Sequence, residues 1–392
     1  MVDYVSPAQS TATGRRRDAI DAATFARRLD WVLVAAVAGL VGFGLWAIAG
    51  ITEHDVPGNP DYYLTRQGLY AAAGVVGLLA VLLIDPERIA RTWKPIFFGT
   101  CLMIAIVFAA GPIRGTKRWL DVGPFRFQPS EFGKLLFVLG LAGFLAHTGR
   151  RIQDGRTTWA TVGLAAIPIA LVFLQPDIGS ALVYGAALLA MLFVAGTRWR
   201  HLATVVGGAA LVASLVLFVL PAADVHLLKQ YQHDRLTNFL DPSRDPGGAT
   251  YNIAQSMNAI GAGGVRGRGV AGATQTNLDF LPEHHTDFAF ASFAEQRGFV
   301  GCAILLALYL LVVWRGLRVV TVARDPFSAI VAGGIVFGFL FQVFVNVGMT
   351  MGIAPITGIP LPFVSVGGSS MIANLLGIGV LLSIHARARS RR

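Results

Sequence analysis

The sequence is poor in charged residues and contains almost no cysteine. Only 14% of its 392 residues are Asp, Glu, Lys or Arg, against roughly 25% in an ordinary soluble domain, so little of the chain is suited to face water. Cys101 and Cys302 both lie in apolar stretches, which argues against a disulfide framework or a thiolate metal site. About thirty mostly polar residues precede the first apolar run, which predicts no cleavable signal peptide.

Long apolar stretches take the place of the missing charge. Hydrophobic residues make up 54% of the chain, and the mean hydropathy is +0.61. Several stretches approach or exceed the roughly 20 residues that a helix needs to cross a bilayer. Because a backbone in hydrocarbon must satisfy its own hydrogen bonds, they are predicted to be helices of an all-α polytopic membrane protein. The predicted spans are 31–51, 67–84, 95–113, 132–147, 159–174, 178–196, 202–220, a segment within 288–313, 327–351 and 368–384.

Lysine and arginine are concentrated in alternate connections between these spans. Basic residues near a membrane favour the cytoplasmic side, so both termini are predicted to be cytoplasmic. The net charge of +10 is scattered between apolar stretches, which indicates membrane lipids as partners and not nucleic acid. The predicted layout is a polar and basic tail at 1–30, a ten-helix domain at 31–384 with a long extracytoplasmic loop at about 221–298, and a basic tail at 385–392.

Two connections on the outer side are basic, against the rule. We interpret this excess of positive charge as a binding surface for an anionic substrate. The alternative is that the arginines meet lipid phosphates or nearby carboxylates such as Asp121 and Asp241. The residues concerned are Arg114, Lys117, Arg118 and Arg126 in the first connection, and Lys229, Arg235, Arg244, Arg266, Arg268 and Arg297 in the second.

The segment 260–269 is rich in glycine and contains two arginines. Such a segment can form a nest of backbone amides that binds a phosphate. It lacks the spacing of a nucleotide-binding loop and follows no predicted strand, which makes a nucleotide site improbable. A flexible loop at the membrane surface and a nest for a lipid pyrophosphate remain the two interpretations.

Polar side chains also precede the eighth predicted span. One hypothesis is that Asp287 is a general base at the membrane boundary. The other is that Thr286 or Asp287 caps the following helix. A zinc site at His284 and His285 is a third option, but adjacent side chains point in different directions, which argues against it. The cluster consists of Glu283, His284, His285, Thr286 and Asp287.

Three further polar clusters lie at the same predicted side of the membrane. Gln128, Glu131 and Lys134 share one face of the fourth span at i, i+3 spacing, and either line an aqueous cavity or form a pair that fixes helix packing. Gln175 and Asp177 lie between the fifth and sixth spans. Residues 355–370 are broken by three prolines, which is typical of irregular backbone that lines a cavity or forms a re-entrant plug. These clusters together predict one extracytoplasmic cavity.

Five motifs, in this order along the chain, resemble the SEDS family (shape, elongation, division and sporulation) of multispanning glycosyltransferases. The resemblance covers essentially the whole membrane region. The segments Thr274-Gln275 and Leu278-Asp-Phe-Leu-Pro-Glu283 are more similar to the RodA branch, which serves elongation, than to the FtsW branch, which serves division. The motifs are Gly115-Thr-Lys-Arg-Trp-Leu120, Gln128-Pro-Ser-Glu131, Gln175-Pro-Asp-Ile-Gly179, Leu281-Pro-Glu-His-His-Thr-Asp-Phe288, and Thr357-Gly-Ile-Pro-Leu-Pro-Phe-Val-Ser365 with Gly367-Gly-Ser-Ser370.

The resemblance implies a GT-C-like bundle that polymerises lipid II into glycan strands. It implies inverting β-1,4 transfer with release of undecaprenyl pyrophosphate, with Asp287 as the catalytic base and possible ligand of a divalent Mg²⁺ or Mn²⁺ ion. No organic cofactor is implied, and the implied partner is a class B penicillin-binding protein, a transpeptidase. Substrate contacts are expected from Arg118, Trp119, Arg126, Gln128, Glu131, Lys134, Gln175, Asp177, Glu283, His285, Thr286, Ser365 and Ser369, with Arg126 or else Lys134 facing the carboxylate or the pyrophosphate.

The chain departs from the family pattern at Val366, Ala289 and Gln296-Arg297. These departures bear on helix packing and partner contacts and leave the proposed base untouched. Three rival functions use the same layout: a lipid II flippase, a scaffold that only recruits the transpeptidase, and a different lipid-linked sugar transferase such as an O-antigen polymerase. The flippase and the scaffold need no base, so Asp287 separates them from the enzyme.

Overall fold

The fold is taken from a computed structural model that describes residues 27–109, 118–123, 125–223, 225 and 249–388. The predicted tails therefore lie largely outside the described residues. The same holds for five of the basic residues predicted at the outer surface, namely Arg114, Lys117, Lys229, Arg235 and Arg244, and for Asp241.

The described chain is a bundle of apolar helices, as predicted. Eight helices are long and apolar enough to cross a membrane, and two shorter apolar helices bring the total among the described residues to ten. They are α1 (Trp31–Ile51), α2 (Tyr62–Leu82), α4 (Trp93–Ala109), α5 (Pro129–Thr148), α6 (Gly155–Leu174), α7 (Ile178–Val194), α8 (Trp199–Ala222), α11 (Ala289–Val322), α12 (Pro326–Thr350) and α13 (Gly368–Ala388).

Shorter elements lie in the connections between these helices. The helix α3 (Pro86–Arg91) precedes α4. A hairpin precedes α5, in which β1 (Leu120–Val122) pairs antiparallel with β2 (Phe125–Phe127). The segment predicted as a long loop at 221–298 contains α9 (Ala249–Gly263) and α10 (Thr274–Asn277), and its end is already the start of α11. The helices α9 and α10 were not predicted, because polar residues within them keep them from forming apolar stretches.

Predicted and observed helix ends differ where polar residues remain helical. The helix α2 begins five residues before the predicted 67, because Tyr62, Thr65 and Arg66 continue the same helical turns. The helix α13 continues to Ala388 with His385 and Arg387 in its last turn, where positive charge favours a helix C-terminus. Hydropathy therefore locates the cores of these helices and not their ends.

The helix α11 is broken at Gly298, whose φ of +65° is not helical. The backbone N–H groups of Phe299 and Val300, just after the break, donate to the carbonyls of Gly264 and Val265. A Cβ atom at position 298 would lie 2.3 Å from the backbone nitrogen of Gly267. Glycine is therefore required both by the backbone angle and by the close approach of the neighbouring segment.

At one end of the bundle, a buried ion pair joins three helices. The Arg315 guanidinium donates from Nε and Nη2 to the Asp30 carboxylate at 2.9 and 2.6 Å. His385 Nδ1 lies 3.9 Å from the same carboxylate. These three residues, called the Arg315 clamp, connect the start of α1, the last third of α11 and the end of α13. Asp30 also caps α1 by accepting from the Leu33 N–H.

Candidate active site

The polar clusters meet at the opposite end of the bundle, where α1 ends and α2, α5, α7, α11 and α13 begin. This end is called the site end. Four of the five motif regions, all except the partly described residues 115–120, are linked here by hydrogen bonds or close backbone contacts. The following contacts proceed around the cluster from the segment that carries Asp287.

The segment 281–288 is an irregular turn organised by Glu283. Glu283 has a φ of +52°, uncommon for a residue with a side chain, and its carbonyl accepts the N–H groups of Thr286 and Phe288. Its carboxylate accepts the Thr286 hydroxyl at 2.7 Å. The N-cap residue of α11 is Phe288, so neither Thr286 nor Asp287 occupies the capping position. The predicted cap is therefore wrong, and the half-buried Asp287 stands outside the helix.

The proline-broken segment 355–367 packs against this turn. The Ser365 hydroxyl donates to the Thr286 carbonyl at 2.5 Å and accepts the Leu361 N–H at 2.9 Å. The Val366 N–H donates to the His285 carbonyl. The amide of Asn346, from α12, donates to the carbonyls of Asp287 and Ile359 at 3.0 and 2.8 Å. The backbone on both sides of the Asp287 side chain is thus fixed by neighbours.

The Asp287 carboxylate lies beside Gly358. A Cβ atom added at Gly358 would stand 3.5 Å from Asp287 Oδ2, and the φ of +71° at this position favours glycine. A side chain at position 358 would therefore lie in contact with the carboxylate. Thr357, the preceding residue, in turn closely approaches α7, because a Cβ at Gly179 would lie 2.5 Å from the Thr357 carbonyl oxygen.

The contacts continue through Asp177, which is buried. Its carboxylate caps α7 through the Ser180 N–H and also accepts from the Gln128 amide at 3.1 Å and the Ser130 hydroxyl at 3.2 Å. The Ser369 hydroxyl accepts the Gln128 N–H at 2.9 Å and donates to the Arg126 carbonyl at 3.1 Å. These bonds tie the ends of α5, α7 and α13 together.

Gln67 of α2, which sequence reasoning missed, completes the cluster. Its buried amide donates to the Ser365 carbonyl and accepts the Gly367 N–H, each at 3.2 Å. Its prediction as the first residue of a span concealed this role. A glutamine one turn inside an apolar helix, where charge and amides are rare, was the available signal.

Two of the residues predicted to contact the substrate are buried and make structural contacts. The Gln175 side chain is 0% exposed and donates to the Ile104 carbonyl at 2.6 Å, so it fastens α6 to α4. Asp177 is 4% exposed and occupied by its cap and its two side-chain donors. Both face the bundle because the turn between α6 and α7 folds inward.

Lys134 and Glu131 form a pair inside the bundle. The Lys134 ammonium lies 2.7 Å from the Glu131 carboxylate and donates to Gln342 Oε1 at 3.0 Å. All three line a cavity of about 60 Å³ between α5, α7, α11, α12 and α13, whose other walls are mainly apolar. The packing interpretation holds, since the pair joins α5 to α12, and the pair also faces this mainly apolar cavity.

The basic residues before α5 lie on the hairpin. Arg126 Nε is 3.6 Å from Asp121 Oδ1, and both side chains are more than half exposed. The half-buried Arg118 precedes β1, and its Nε is shielded from solvent without a hydrogen bond to any described residue. Trp119 is also half-buried. This arrangement places guanidinium groups at the entrance of the site end, where an anionic group could reach them.

Asp55, between α1 and α2, joins the cluster in a way that the sequence did not indicate. It lies 2.8 Å from His284 Nε2 and 3.1 Å from His285 Nδ1. Burial alone would raise the pKa of Asp55, but hydrogen bonding and the charges of the two histidines outweigh it and lower the pKa. Burial would lower the pKa of His284, but Asp55 raises it. The expectation that adjacent histidines diverge fails because the Glu283 turn directs both rings towards one carboxylate.

The glycine-rich segment 260–269 is not a phosphate nest. Its last amides are already used, since the N–H groups of Gly267, Arg268 and Gly269 donate to the carbonyls of Gly263, Glu295 and Gln296. The segment instead forms the support for the break at Gly298. Gln296, where the chain departs from the family pattern, bonds the Gly50 carbonyl, and Arg297 lies over the Trp46 ring at 3.9 Å.

The chain matches the family model for FtsW, RodA and SpoVE, described as "Cell cycle protein", over residues 27–390. It is 41% identical over 320 residues to the peptidoglycan glycosyltransferase MrdB of Escherichia coli K12, covering 81% of this chain and 84% of that protein. It is 34% identical over 333 residues to the stage V sporulation protein E of Bacillus subtilis 168, covering 84% and 88%.

Two solved structures share the fold. One, described as showing structural coordination of polymerization and crosslinking by a peptidoglycan synthase complex, has a chain that is 32% identical with a TM-score of 0.78, covering 92% of this chain and 99% of its own. The rod shape determining protein RodA of Thermus thermophilus is 29% identical with a TM-score of 0.66, covering 93% and 98%. The likeness therefore extends over nearly the whole bundle.

Proposed function

Because the chain belongs to the FtsW, RodA and SpoVE family of cell cycle proteins, the SEDS family, we propose that it is a peptidoglycan glycosyltransferase that polymerises lipid II into glycan strands for cell elongation. The relatives named above support this, since MrdB carries that activity in its name and RodA is named for rod shape. The identity of 41% to MrdB exceeds the 33% to FtsW of Geobacter metallireducens, which favours the elongation branch.

We propose that the site end faces outward and that the Arg315 clamp lies at the cytoplasmic side. Ten antiparallel helices leave both chain ends on one side. The basic residues Arg88, Arg91 and Lys94 fall at the same end as Arg315 and Arg387 by this alternation, in agreement with the preference of Lys and Arg for the cytoplasm. Lipid II would then reach Asp287 from the extracytoplasmic leaflet.

The observation that carries the proposal is the fixed position of Asp287 at the site end. Its backbone is held by Asn346 and by the Glu283 turn, and its half-buried carboxylate lies beside Gly358. A general base must be presented with its geometry set by rigid neighbours. The side chains of Asp177 and Gln175 are occupied by structural contacts, so we propose Asp287 and neither of them as the base.

The proposed step needs one base. The Asp287 carboxylate removes the proton of the acceptor C4 hydroxyl while the hydroxyl oxygen attacks C1 of the donor sugar. The bond between C1 and the pyrophosphate oxygen breaks, undecaprenyl pyrophosphate leaves with the electron pair, and attack from the opposite face inverts the anomeric centre. Glycoside hydrolysis would require two facing carboxylates, whereas a pyrophosphate leaving group needs charge stabilisation and not a strong acid.

Cationic side chains are proposed to stabilise that leaving group. Arg118 has a shielded guanidinium N–H without a bond to any described residue, and Arg126 has only a loose, exposed pairing with Asp121 among the contacts found for it. Both can turn towards an anion without breaking a buried bond. Lys134 is held by Glu131 and Gln342 within the cavity, where it would balance negative charge that enters from the site end.

A divalent ion, Mg²⁺ or Mn²⁺, is part of the proposal. Mg²⁺ in proteins is commonly held by one or two carboxylates together with substrate phosphates and water, so Asp287 is the residue that would hold it beside the pyrophosphate. The ion would neutralise charge on the departing group. Among the described residues, the one group of three converging ligand side chains is Asp55, His284 and His285, which does not include Asp287.

The proposed protein partner is a class B penicillin-binding protein. The similar chain in a complex that coordinates polymerization and crosslinking supports a transpeptidase partner for this chain. Crosslinking has to follow polymerisation of the same strand, and a partner bound to the membrane helices would supply that activity nearby.

The proposal is tested by incubating the purified full chain with lipid II and Mg²⁺ or Mn²⁺, with and without the cognate transpeptidase, and separating the glycan products by gel. Asp287→Asn should reduce polymer formation by at least about 100-fold with an unchanged melting temperature. The matched control is Asp61→Asn, an exposed carboxylate at the same end, which should retain wild-type activity.

The rival functions predict other results. A scaffold would give no glycan under any condition with the wild-type chain. A flippase would move lipid II across vesicles equally well with Asp287→Asn and would form no polymer. Normal polymerisation by Asp287→Asn would exclude this residue as the base.

A further inference from the structure

The connection between α1 and α2 carries a cluster that the proposed reaction does not use. Asp55 of this connection faces His284 and His285, and the ligand atoms of all three side chains lie within 4.8 Å of one another. The Asp55 and His284 side chains are 11% and 7% exposed, and that of His285 is 21% exposed. A carboxylate and two imidazoles are thus enclosed in one small space beside the turn that bears Asp287.

Two buried atoms of this cluster lack hydrogen-bond partners. Asp55 Oδ2 and His285 Nδ1 are shielded from solvent, and neither has the geometry of a hydrogen bond to any described residue. They lie 3.1 Å from each other, near enough to interact but not aligned for a hydrogen bond. Buried polar atoms are rarely left in this state. Together with His284, these two atoms form a set of ligand atoms within 4.8 Å of one another, close enough for one ion to bind all three.

The chemistry of the ligands restricts what that group is. Imidazole nitrogen suits Zn²⁺, Fe²⁺, Ni²⁺ and Cu²⁺, whereas Mg²⁺, Ca²⁺ and Mn²⁺ prefer oxygen ligands. Three protein ligands leave at least one coordination position for water. His284 also hydrogen-bonds the Leu281 backbone, and the Tyr63 ring packs on His285 with centroids 4.8 Å apart. Such outer contacts orient ligating histidines.

We propose that Asp55, His284 and His285 bind one divalent transition-metal ion of the Zn²⁺ type, which fastens the connection between α1 and α2 to the Asp287 turn. His285 is two residues before Asp287, and its carbonyl already accepts the Val366 N–H. The ion would therefore limit the movement of the base without touching the reacting atoms. Only this last statement rests on the proposed function; metal binding itself does not.

The test uses the full chain in detergent, stripped with a chelator and reloaded at about pH 8, where imidazoles are neutral. Zn²⁺, Mn²⁺ and Mg²⁺ are added separately, and the metal retained after desalting is measured by elemental analysis. The wild type should retain about one equivalent of Zn²⁺ and neither Mg²⁺ nor Mn²⁺, and its melting temperature should rise on loading with Zn²⁺. Co²⁺ loading should give the visible absorption of a nitrogen-ligated ion.

Asp55→Asn and His285→Gln should each weaken retention by at least about 100-fold while keeping the shape of the side chain. The matched control is His54→Gln, since His54 is exposed in the same connection and should leave retention unchanged. Polymerisation is measured in parallel, so that a chain that binds metal but makes no glycan contradicts only the proposed function.

Two results would overturn the metal site. Equal metal content in the wild type and Asp55→Asn, with no change of melting temperature on chelation, would mean that the cluster is an ion pair closed by protons. Metal lost in His54→Gln but kept in His285→Gln would mean that the ion binds elsewhere. Zn²⁺ retained by the wild type and by His54→Gln, but lost by Asp55→Asn, supports the proposal. This holds even if both ligand variants are thermally less stable, because Co²⁺ absorption reports metal binding directly.

Discussion

The two ends of the bundle contain the same types of charged side chain but pair them differently. At the Arg315 clamp, a carboxylate meets a guanidinium in a two-pronged pair, with Asp30 1% and Arg315 9% exposed. At the site end, carboxylates meet histidine, lysine and arginine, but Arg118 Nε, Asp55 Oδ2 and His285 Nδ1 stay without hydrogen bonds to described residues. The Asp30–Arg315 pair of the clamp satisfies its donors and acceptors internally, whereas these three atoms of the site end are available to a group that is not part of the chain.

The backbone shows the same contrast. Asp279, Glu283 and Phe363 have positive φ values of 54°, 52° and 69°, and all three lie in the segments that build the site. Around the clamp, the connections adopt positive φ only at glycines such as Gly149 and Gly196. Strained backbone is kept where surrounding structure fixes it and is concentrated at functional sites. We therefore expect substitutions at the site end to change activity more than stability, and the reverse at the clamp.

The largest expected effect is on stability, at the clamp. Arg315→Met leaves the Asp30 carboxylate buried without its cation, and breaking a buried pair in this way typically lowers the free energy of unfolding by about 3–5 kcal/mol. The melting temperature in detergent should fall accordingly, while polymerisation per folded molecule stays within twofold of wild type.

The double variant Asp30→Asn with Arg315→Met serves as the control. Because it removes both charges together, its loss should be smaller than the sum of the two single losses. A clamp variant that folds normally but does not polymerise would break the comparison, since the clamp would then contribute to the reaction.

The next effect is on activity, at the Lys134 pair. Lys134→Met removes a cation from the cavity and leaves Glu131 and Gln342 without their donor. If the ammonium stabilises the departing pyrophosphate, polymerisation should fall by about 100-fold, and Lys134→Arg should restore part of it. The measurement is the initial rate of lipid II polymerisation at several lipid II concentrations.

A structural role for Lys134 predicts another pattern. Lys134→Met and Lys134→Arg would then lower the melting temperature by different amounts, with rates per folded molecule near wild type. The pair would in that case resemble the clamp and not the site.

Several features of both ends could be predicted from the sequence. The length of the apolar stretches and the positions of Arg and Lys reflect the free energy of transferring these residues into a membrane. The ten helices and the polar clusters around Glu131 and Asp287 belong to this group. The partners of each carboxylate were not accessible. Asp55 and His285 are more than two hundred residues apart, and their meeting depends on the Glu283 turn, whose positive φ no local pattern indicates. The burial of Gln175 and Asp177 was not accessible either, because it depends on neighbouring helices that lie far away in the sequence.

A smaller effect on both quantities is expected at Gln67. Gln67→Leu keeps the size of the side chain but leaves the Ser365 carbonyl and the Gly367 N–H, which it now bonds, without that partner. Each buried group left unsatisfied costs about 1–3 kcal/mol. The melting temperature should fall by a few degrees, and polymerisation should fall with it because Ser365 supports the Asp287 turn.

The control is Thr65→Ala, at an exposed position of the same helix, which should change neither quantity. If Gln67→Leu polymerises at the wild-type rate, the position of Asp287 does not depend on the bonds between Gln67 and the segment 355–367.

The smallest expected effect is at the exposed pair of Asp121 and Arg126. Both side chains are more than half exposed and 3.6 Å apart, and such surface pairs contribute about 0–1 kcal/mol. Asp121→Asn should therefore leave the melting temperature unchanged within error. Removing the carboxylate also frees Arg126 for an anionic substrate, so polymerisation at low lipid II concentration should stay equal or rise slightly. Any rise should vanish at high salt, because exposed charges are screened.

Arg126→Gln is the control with the opposite expected effect: polymerisation at low lipid II concentration should fall while the melting temperature stays unchanged. A fall in stability for either variant would mean that the hairpin supports the fold, and the division of labour between the two ends would then not extend to the entrance of the site.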